Sequence, residues 1–209
     1  MKLYYASNTC SLAAQIVALE ADIELQGEKV DIHQQPHVLA DGSPFTAVNP
    51  KGYVPALELD DGRLLTEGVA ILTFLSDLRP DAALAPRDKS LARYEYLQWM
   101  TFIATELHKS YSPWLFHPEV GAMAQDAARQ KIGERLPIVE ARLVGRDHLV
   151  GERFTAVDAY AFTILSWSTY AGVALSGFPK IERYLRAIAA RPSVRQARVA
   201  HGNLIGQES

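Results

Sequence analysis

Met1-Lys2-Leu3-Tyr4-Tyr5-Ala6-Ser7-Asn8-Thr9-Cys10-Ser11-Leu12-Ala13-Ala14-Gln15-Ile16-Val17-Ala18-Leu19-Glu20 is the stretch from which the fold is read. Residues 1–5 predict a short strand and Ala6–Thr9 a turn. Leu12, Ile16 and Leu19 recur at helical spacing, which predicts an amphipathic helix over Ser11–Glu20. Cys10 falls where that helix begins. The first backbone N–H groups of a helix lack internal partners, and the macrodipole adds positive character there. A thiolate at such a point is stabilised, which would make Cys10 reactive. A buried cysteine packing as a small hydrophobe would occupy the same position without chemistry. Position alone leaves both readings open.

Working outward, Glu28–Ile32 predicts a second strand. His33–Ala47 carries Pro36, Gly42 and Pro44 and predicts a loop with one helical turn. Asn49-Pro50-Lys51-Gly52 is turn chemistry. Pro55–Leu59 alternates as a strand, Asp60-Asp61-Gly62-Arg63 forms a hairpin turn, and Leu64-Leu65 begins the return strand. Glu67–Leu78 then predicts a helix with Leu72, Leu75 and Leu78 on one stripe. The order β-α-β, loop, β-β-α is that of an α/β thioredoxin-like domain, assigned to residues 1–79. Arg79–Pro86 is a linker stiffened by two prolines.

Residues 87–209 predict an all-helical bundle. A long helix is expected from Asp88, as its cap, to Tyr111, with Ser112-Pro113 bending or ending it. A second long helix is expected over Ala122–Val144, with a kink or break at Pro137. Thr155-Ala156-Val157-Asp158 reads as a capping box with Phe154 as staple. The helix it opens is apolar nearly all round and therefore central and buried. Further helices are expected over Ile181–Ala190 and Ser193–Val199.

Composition narrows the function classes. With 48% apolar and 22% charged residues, the 209-residue chain has the balance of an ordinary globular protein. A formal net charge of −3 gives no electrostatic case for nucleic acid or an anionic membrane. A single cysteine excludes an intramolecular disulfide and fits a reducing compartment, so a cytoplasmic location is expected. The six histidines are scattered without metal-ligand spacing, and no metal is expected. No apolar run reaches the roughly 20 residues of a membrane span, and no basic region followed by an apolar core marks a signal peptide.

Two further motifs carry chemistry. Val54-Pro55 opens a strand directly after a turn, which makes it a candidate cis peptide, although an ordinary trans bond is the commoner state. In the cis form the Val54 N–H and C=O would face outward and could pair with an extended peptide. In Thr66-Glu67-Gly68, Glu67 starts a helix, where it would cap that end or hold a cation. The free N–H groups behind it suit a carboxylate. A ligand bearing an ammonium and a carboxylate on one carbon matches the pair. An acidic residue that merely favours the helix dipole is the plainer alternative.

Together these pieces resemble a bacterial glutathione S-transferase of the beta class. The matching segments are Met1–Tyr5, Cys10-Ser11-Leu12, Asn49–Pro55, Leu65–Ile71, Glu106–Lys109, Phe154–Tyr160 and Arg191-Pro192. They follow in order over almost the whole chain. Cys10 and His108-Lys109 are the class-specific pieces. Val54-Pro55 and Glu67-Gly68 mark the wider superfamily.

The resemblance implies a two-domain transferase fold, a homodimer, and glutathione as co-substrate with a small electrophile. It implies catalytic roles for Cys10, which faces the glutathione sulfur, and for His108, whose ordinary pKa of about 6.5 suits proton transfer. Glutathione contacts are implied at Gln35, Tyr53, Val54, Pro55, Glu67, Gly68, Thr101, Thr105 and Lys109. Val54 would bind the cysteinyl backbone, and Glu67-Gly68 the γ-glutamyl end. Apolar character nominates Tyr111, Trp114 and Trp167 for the electrophile.

Three positions depart from the class. Gly68 stands where serine is common, Gln35 where lysine is common (with Gln34 and His37 nearby), and Thr101 where asparagine is common. The loop around Gln35 is about two residues longer than usual. Each change removes a contact worth about 1 kcal/mol. The leading expectation is conjugation or reduction of electrophiles by glutathione. Thiol–disulfide exchange through Cys10, resolved by free glutathione, is the alternative enzymatic reading. A non-catalytic glutathione-binding protein on the same scaffold is the alternative outside catalysis.

Overall fold

The computed structural model describes residues 1–87 and 89–202. The expected helix cap at Asp88 lies outside the described residues. The described residues divide into two compact units, Ala85–Arg191 and Met1–Leu84 joined by residues 192–202.

In the first unit, β1 (Lys2–Tyr5) is central in a four-stranded sheet of order β2-β1-β3-β4. It pairs parallel with β2 (Gln26–Lys29) and antiparallel with β3 (Ala56–Glu58), which pairs antiparallel with β4 (Leu64–Thr66). The second strand thus lies two to three residues before its expected place. Its sequence, Gln-Gly-Glu-Lys, is mostly exposed and carries no apolar alternation to read. Backbone pairing with β1, not burial of its side chains, defines it. The hairpin turn closes as expected, with the Leu59 N–H donating to the Arg63 carbonyl at 2.8 Å.

Helix α1 (Ser11–Glu20) has the expected bounds. It packs against α2 (Gly68–Leu78), both burying apolar side chains such as Ile16, Val17, Ile71, Leu72 and Leu75. A separate cluster of Tyr4, Val30, Phe45 and Ala56 is covered by partly buried loop residues including Ile32, Val48 and Val54. The loop contains the expected single helical turn, Phe45–Ala47.

The second unit begins with α3 (Leu91–Phe102), capped by the Ser90 hydroxyl, which accepts from the Arg93 N–H. The helix continues through a π-helical stretch, Ile103–His108, into α4 (Lys109–Tyr111). Helix α5 (Ala122–Arg142) runs through Pro137 without being interrupted, so the expected break does not occur. Helix α6 (Ala156–Leu165) is buried along its whole length and opens on the expected capping box. Within it the Asp158 carboxylate accepts from the Leu149 N–H, the Thr155 N–H and the Tyr184 hydroxyl, each at 2.9 Å. One buried side chain thereby ties the preceding loop and α8 (Pro179–Ala189) to the start of α6. A short α7 (Ser168–Ala171) lies between α6 and α8. No helix among the described residues is long and apolar enough to cross a membrane.

The last helix, α9 (Pro192–Ala200), packs against α1 in the first unit. The sequence pattern alone assigns it to the helical domain expected over residues 87–209. Val194 and Ala197 are fully buried, Ser193 hydrogen-bonds Glu20, and the Ser7 hydroxyl donates to the His201 carbonyl at 2.6 Å. Helical periodicity marks a helix and its apolar face, but not the unit that receives that face.

Candidate active site

At the start of α1, Cys10 is the N-cap residue in ordinary αR geometry. Thr9 and Ser11 close the turn before it: their hydroxyls are 2.7 Å apart, and the Thr9 hydroxyl donates to the Ala6 carbonyl at 2.9 Å. The N–H groups of Leu12 and Ala13 donate to the carbonyls of Thr9 and Cys10, each at 3.2 Å. Much of the free donor capacity expected at this helix start is therefore used within the turn. The half-buried Cys10 thiol donates to the Val54 carbonyl at 3.6 Å. This distance places the Cys10 sulfur beside the carbonyl of the Val54-Pro55 motif.

Val54-Pro55 is cis. The turn before it is built by Asn49, which is buried. The Asn49 amide donates to the Tyr53 carbonyl at 2.8 Å, while its side-chain oxygen accepts from the Lys51 N–H at 3.2 Å. Gly52, at φ +72°, supplies the left-handed residue the turn needs. Its carbonyl lies 2.9 Å from His37 Nδ1. A carbonyl can only accept, so Nδ1 carries the proton and Nε2 is left as an acceptor, 3.3 Å from the Gln35 amide nitrogen. Gln35 is thus held to the same turn through His37. The Tyr53 side chain is largely exposed, and Pro55 is buried behind it.

The start of α2 differs. Glu67 adopts φ +73° and ψ 120°, and its side chain makes no capping hydrogen bond. A non-glycine residue held there costs on the order of 1–3 kcal/mol, and such outliers cluster at functional sites. Its exposed carboxylate accepts from the Lys51 ammonium at 2.7 Å, and Lys51 also donates to the Thr66 hydroxyl at 3.0 Å. Glu67 does not cap α2; its carboxylate pairs with the chain's own Lys51. The sequence signal for Lys51 is its place in the turn that precedes the Val54-Pro55 motif. Gly68 has open space where a Cβ would stand.

In the second unit, His108 is the last residue of the π-helical stretch, a helix variant frequent at functional sites. Its Nδ1 lies 2.7 Å from the Tyr160 hydroxyl, and its ring meets those of Tyr160 and Trp167 edge-on. Burial, reinforced by the neighbouring Lys109 charge, pushes its pKa down to about 4. The ring is therefore neutral near pH 7 and a weaker base than its ordinary value suggests. Tyr160 went unassigned in sequence, although it lies in the Phe154–Tyr160 segment.

Thr101 and Thr105 sit on exposed helix positions, with the Thr105 hydroxyl donating to the Thr101 carbonyl at 3.0 Å. Lys109 is exposed. Tyr111 is fully buried, its hydroxyl 2.6 Å from that of Ser168. It supports the wall instead of presenting a surface, which corrects its nomination for the electrophile. Trp167 is also buried, while Trp114 is 43% exposed and available for contact.

Residues 98–192 match the family "Glutathione S-transferase, C-terminal domain", and residues 9–78 match "Glutathione S-transferase, N-terminal domain". Glutathione S-transferase GstA of Escherichia coli O157:H7 is 40% identical over 202 residues, covering 97% of this chain and 99% of that protein. A sphingomonad glutathione S-transferase solved in complex with glutathione is 37% identical with a TM-score of 0.91, covering 97% of this chain and 100% of that one. The beta-class transferase of Sphingomonas chungbukensis is 39% identical with a TM-score of 0.91, covering 97% and 99%. The chain belongs to the glutathione S-transferase family, and its likeness is to the bacterial beta-class members.

Proposed function

We propose that the chain transfers glutathione to a small electrophile, with the γ-glutamyl end of glutathione bound at the start of α2. The observation carrying this reading is Glu67, an exposed carboxylate on an outlier backbone that already holds an ammonium group. The γ-glutamyl ammonium would take the position of the Lys51 Nζ, and the carboxylate on the same carbon would face the Gly68 N–H and its successors. The extended cysteinyl segment would lie against Val54. Gln35 and Tyr53 would meet the glycyl end, and Thr101, Thr105 and Lys109 are the helical unit's proposed contributions.

In the reaction the glutathione sulfur attacks an electrophilic carbon, the leaving group departs with its bonding electrons, and the thiol proton passes to solvent. The protein's part is to hold the thiol and the electrophile in reactive geometry. His108, neutral near pH 7, would serve as a hydrogen-bond donor to the developing charge through Nε2 in the tautomer in which Nδ1 accepts from the Tyr160 hydroxyl. Trp114, the exposed one of the three aromatic residues, is assigned to the electrophile, with buried Trp167 and Tyr111 behind the surface. Thiol–disulfide exchange through Cys10 is the second reading, supported by the half-buried thiol at the Val54 carbonyl.

Turnover of glutathione with an aryl halide tests the proposal. His108→Ala is expected to lower kcat more than it weakens glutathione binding; equal losses would make it a binding residue only. The protein is further proposed to be a cytoplasmic homodimer whose two-fold contact uses α2 and α3, as in the family. Sedimentation at micromolar concentration showing only a 23.1 kDa species would contradict the dimer.

A further inference from the structure

Lys51 and Glu67 are 16 residues apart in sequence, yet the free chain pairs them. The turn before Val54 fixes the backbone of Lys51. Its N–H donates to the Asn49 side-chain oxygen at 3.2 Å, and the next N–H, of Gly52, donates to the Asn49 carbonyl at 2.8 Å. From that point the Lys51 ammonium reaches the end of β4 and the start of α2. It donates to the Thr66 hydroxyl at 3.0 Å and to the Glu67 carboxylate at 2.7 Å.

The two side chains are 53% and 69% exposed. An ion pair in that setting is screened by water, so it holds its partners without locking them. Lysine presents a primary ammonium with three N–H donors, and the γ-glutamyl end of glutathione presents the same group. Two ammonium groups at one carboxylate repel each other, so the second arrival displaces the first.

We propose that Lys51 is a specificity-determining residue of the glutathione site: an internal ammonium that occupies Glu67 in the free protein and is displaced by the γ-glutamyl ammonium. The inference rests on the reading that the γ-glutamyl end binds at the start of α2. Binding then exchanges one ion pair for another, and Glu67 adds to affinity only the difference between them. A ligand without the amino group makes no exchange, and its carboxylate is attracted by the lysine left in place. Lys51 therefore narrows the preference for an amino-bearing head over a purely anionic one.

Titration calorimetry of the full chain tests this with two thioethers, which take no part in thiol exchange at Cys10. One is S-methylglutathione; the other is its analogue with glutaryl in place of γ-glutamyl, which lacks the amino group. The titrations are run at about 0.15 M ionic strength, where distant charges are screened. Lys51→Met keeps the side-chain length and removes the donors. It is expected to tighten S-methylglutathione about two- to fivefold, the worth of an exposed ion pair, and to give the glutaryl analogue no gain. Lys51→Arg, which keeps the charge, should give no gain with either ligand. In a Glu67→Ala background the gain from Lys51→Met should vanish. Both side chains are exposed, and unchanged circular dichroism would confirm that the variants fold. If Glu67→Ala alone weakens S-methylglutathione but Lys51→Met leaves it unchanged, weakens it, or tightens both ligands equally, the proposal is overturned and the reading of the α2 site stands. If Glu67→Ala leaves S-methylglutathione binding unchanged, that reading falls and the proposal falls with it.

Discussion

The two helix starts of the first unit carry the same physical resource and use it differently. At α1 Cys10 itself is in ordinary αR geometry, the left-handed residue of the preceding turn being Asn8 at φ 60°, while N–H groups of the helix start are met within the turn and the thiol donates to a carbonyl. At α2 the backbone of Glu67 is an outlier, its side chain caps nothing, and its carboxylate holds a cation in solvent. A helix start becomes a ligand site when its donors are left free and an uncommon conformation is maintained beside them. By that measure we propose the substrate's charged end at α2, with Cys10 a neighbour of the chemistry more than its engine.

The contrast can be attacked first at the anchor of the α1 start. The imidazole of His201 is buried against Tyr5, with ring centroids 4.3 Å apart, and neither ring nitrogen has a hydrogen-bond partner. Burial pushes its pKa down to about 4. The folded state therefore resists a proton that the unfolded chain accepts near the ordinary value of about 6.5. The associated stability is complete above about pH 6.5 and lost as the pH falls toward 4, amounting to about 3 kcal/mol at most. Urea unfolding at pH 7 and pH 4 should show His201→Phe losing less stability on acidification than the parent. Identical pH dependence in the two proteins would show that His201 does not titrate in this way.

Next in size is Glu67→Ala. Lost charge-assisted hydrogen bonds cost about 1.5–3 kcal/mol, which is roughly a 10- to 150-fold rise in Kd for glutathione by calorimetry. The exposure of the carboxylate in the free protein argues against the larger penalty of a buried pair. Cys10→Ala, in contrast, should leave that Kd within about threefold, since its thiol contacts the protein's own carbonyl. A reversal of these two effects would invert the comparison.

The smallest expected effect is a gain. Gly68 has open space where a side chain would stand. Gly68→Ser should fold unchanged and tighten glutathione binding by up to about 1 kcal/mol, the value of one added hydrogen bond. Weaker binding would mean that the ligand needs the space the glycine leaves.

Much of this molecule was legible in the sequence where hydrophobic period or cap chemistry governs. The bounds of α1, the capping box at Thr155 and Asp158, and the cis Val54-Pro55 bond were all available to reading. What escaped depends on tertiary partners. Strand β2 has no apolar pattern, so only its pairing with β1 defines it. The docking of α9 on α1 is decided by complementarity between distant segments. In the site, the Lys51–Glu67 pair spans 16 residues, and the depressed basicity of His108 comes from burial that no local motif announces. Residue identity at a site is often readable; protonation state and the burial that sets it are not.

The central claim is that glutathione's γ-glutamyl end sits at the α2 start. Isotope-filtered NMR of labelled protein with unlabelled glutathione tests it directly. The account predicts intermolecular nuclear Overhauser effects from the γ-glutamyl Cα proton to the amides of Gly68 and Val69, and from the cysteinyl protons to the amide of Val54. Contacts of the γ-glutamyl group to the amides of Ser11 and Leu12, with none at Gly68, would contradict it.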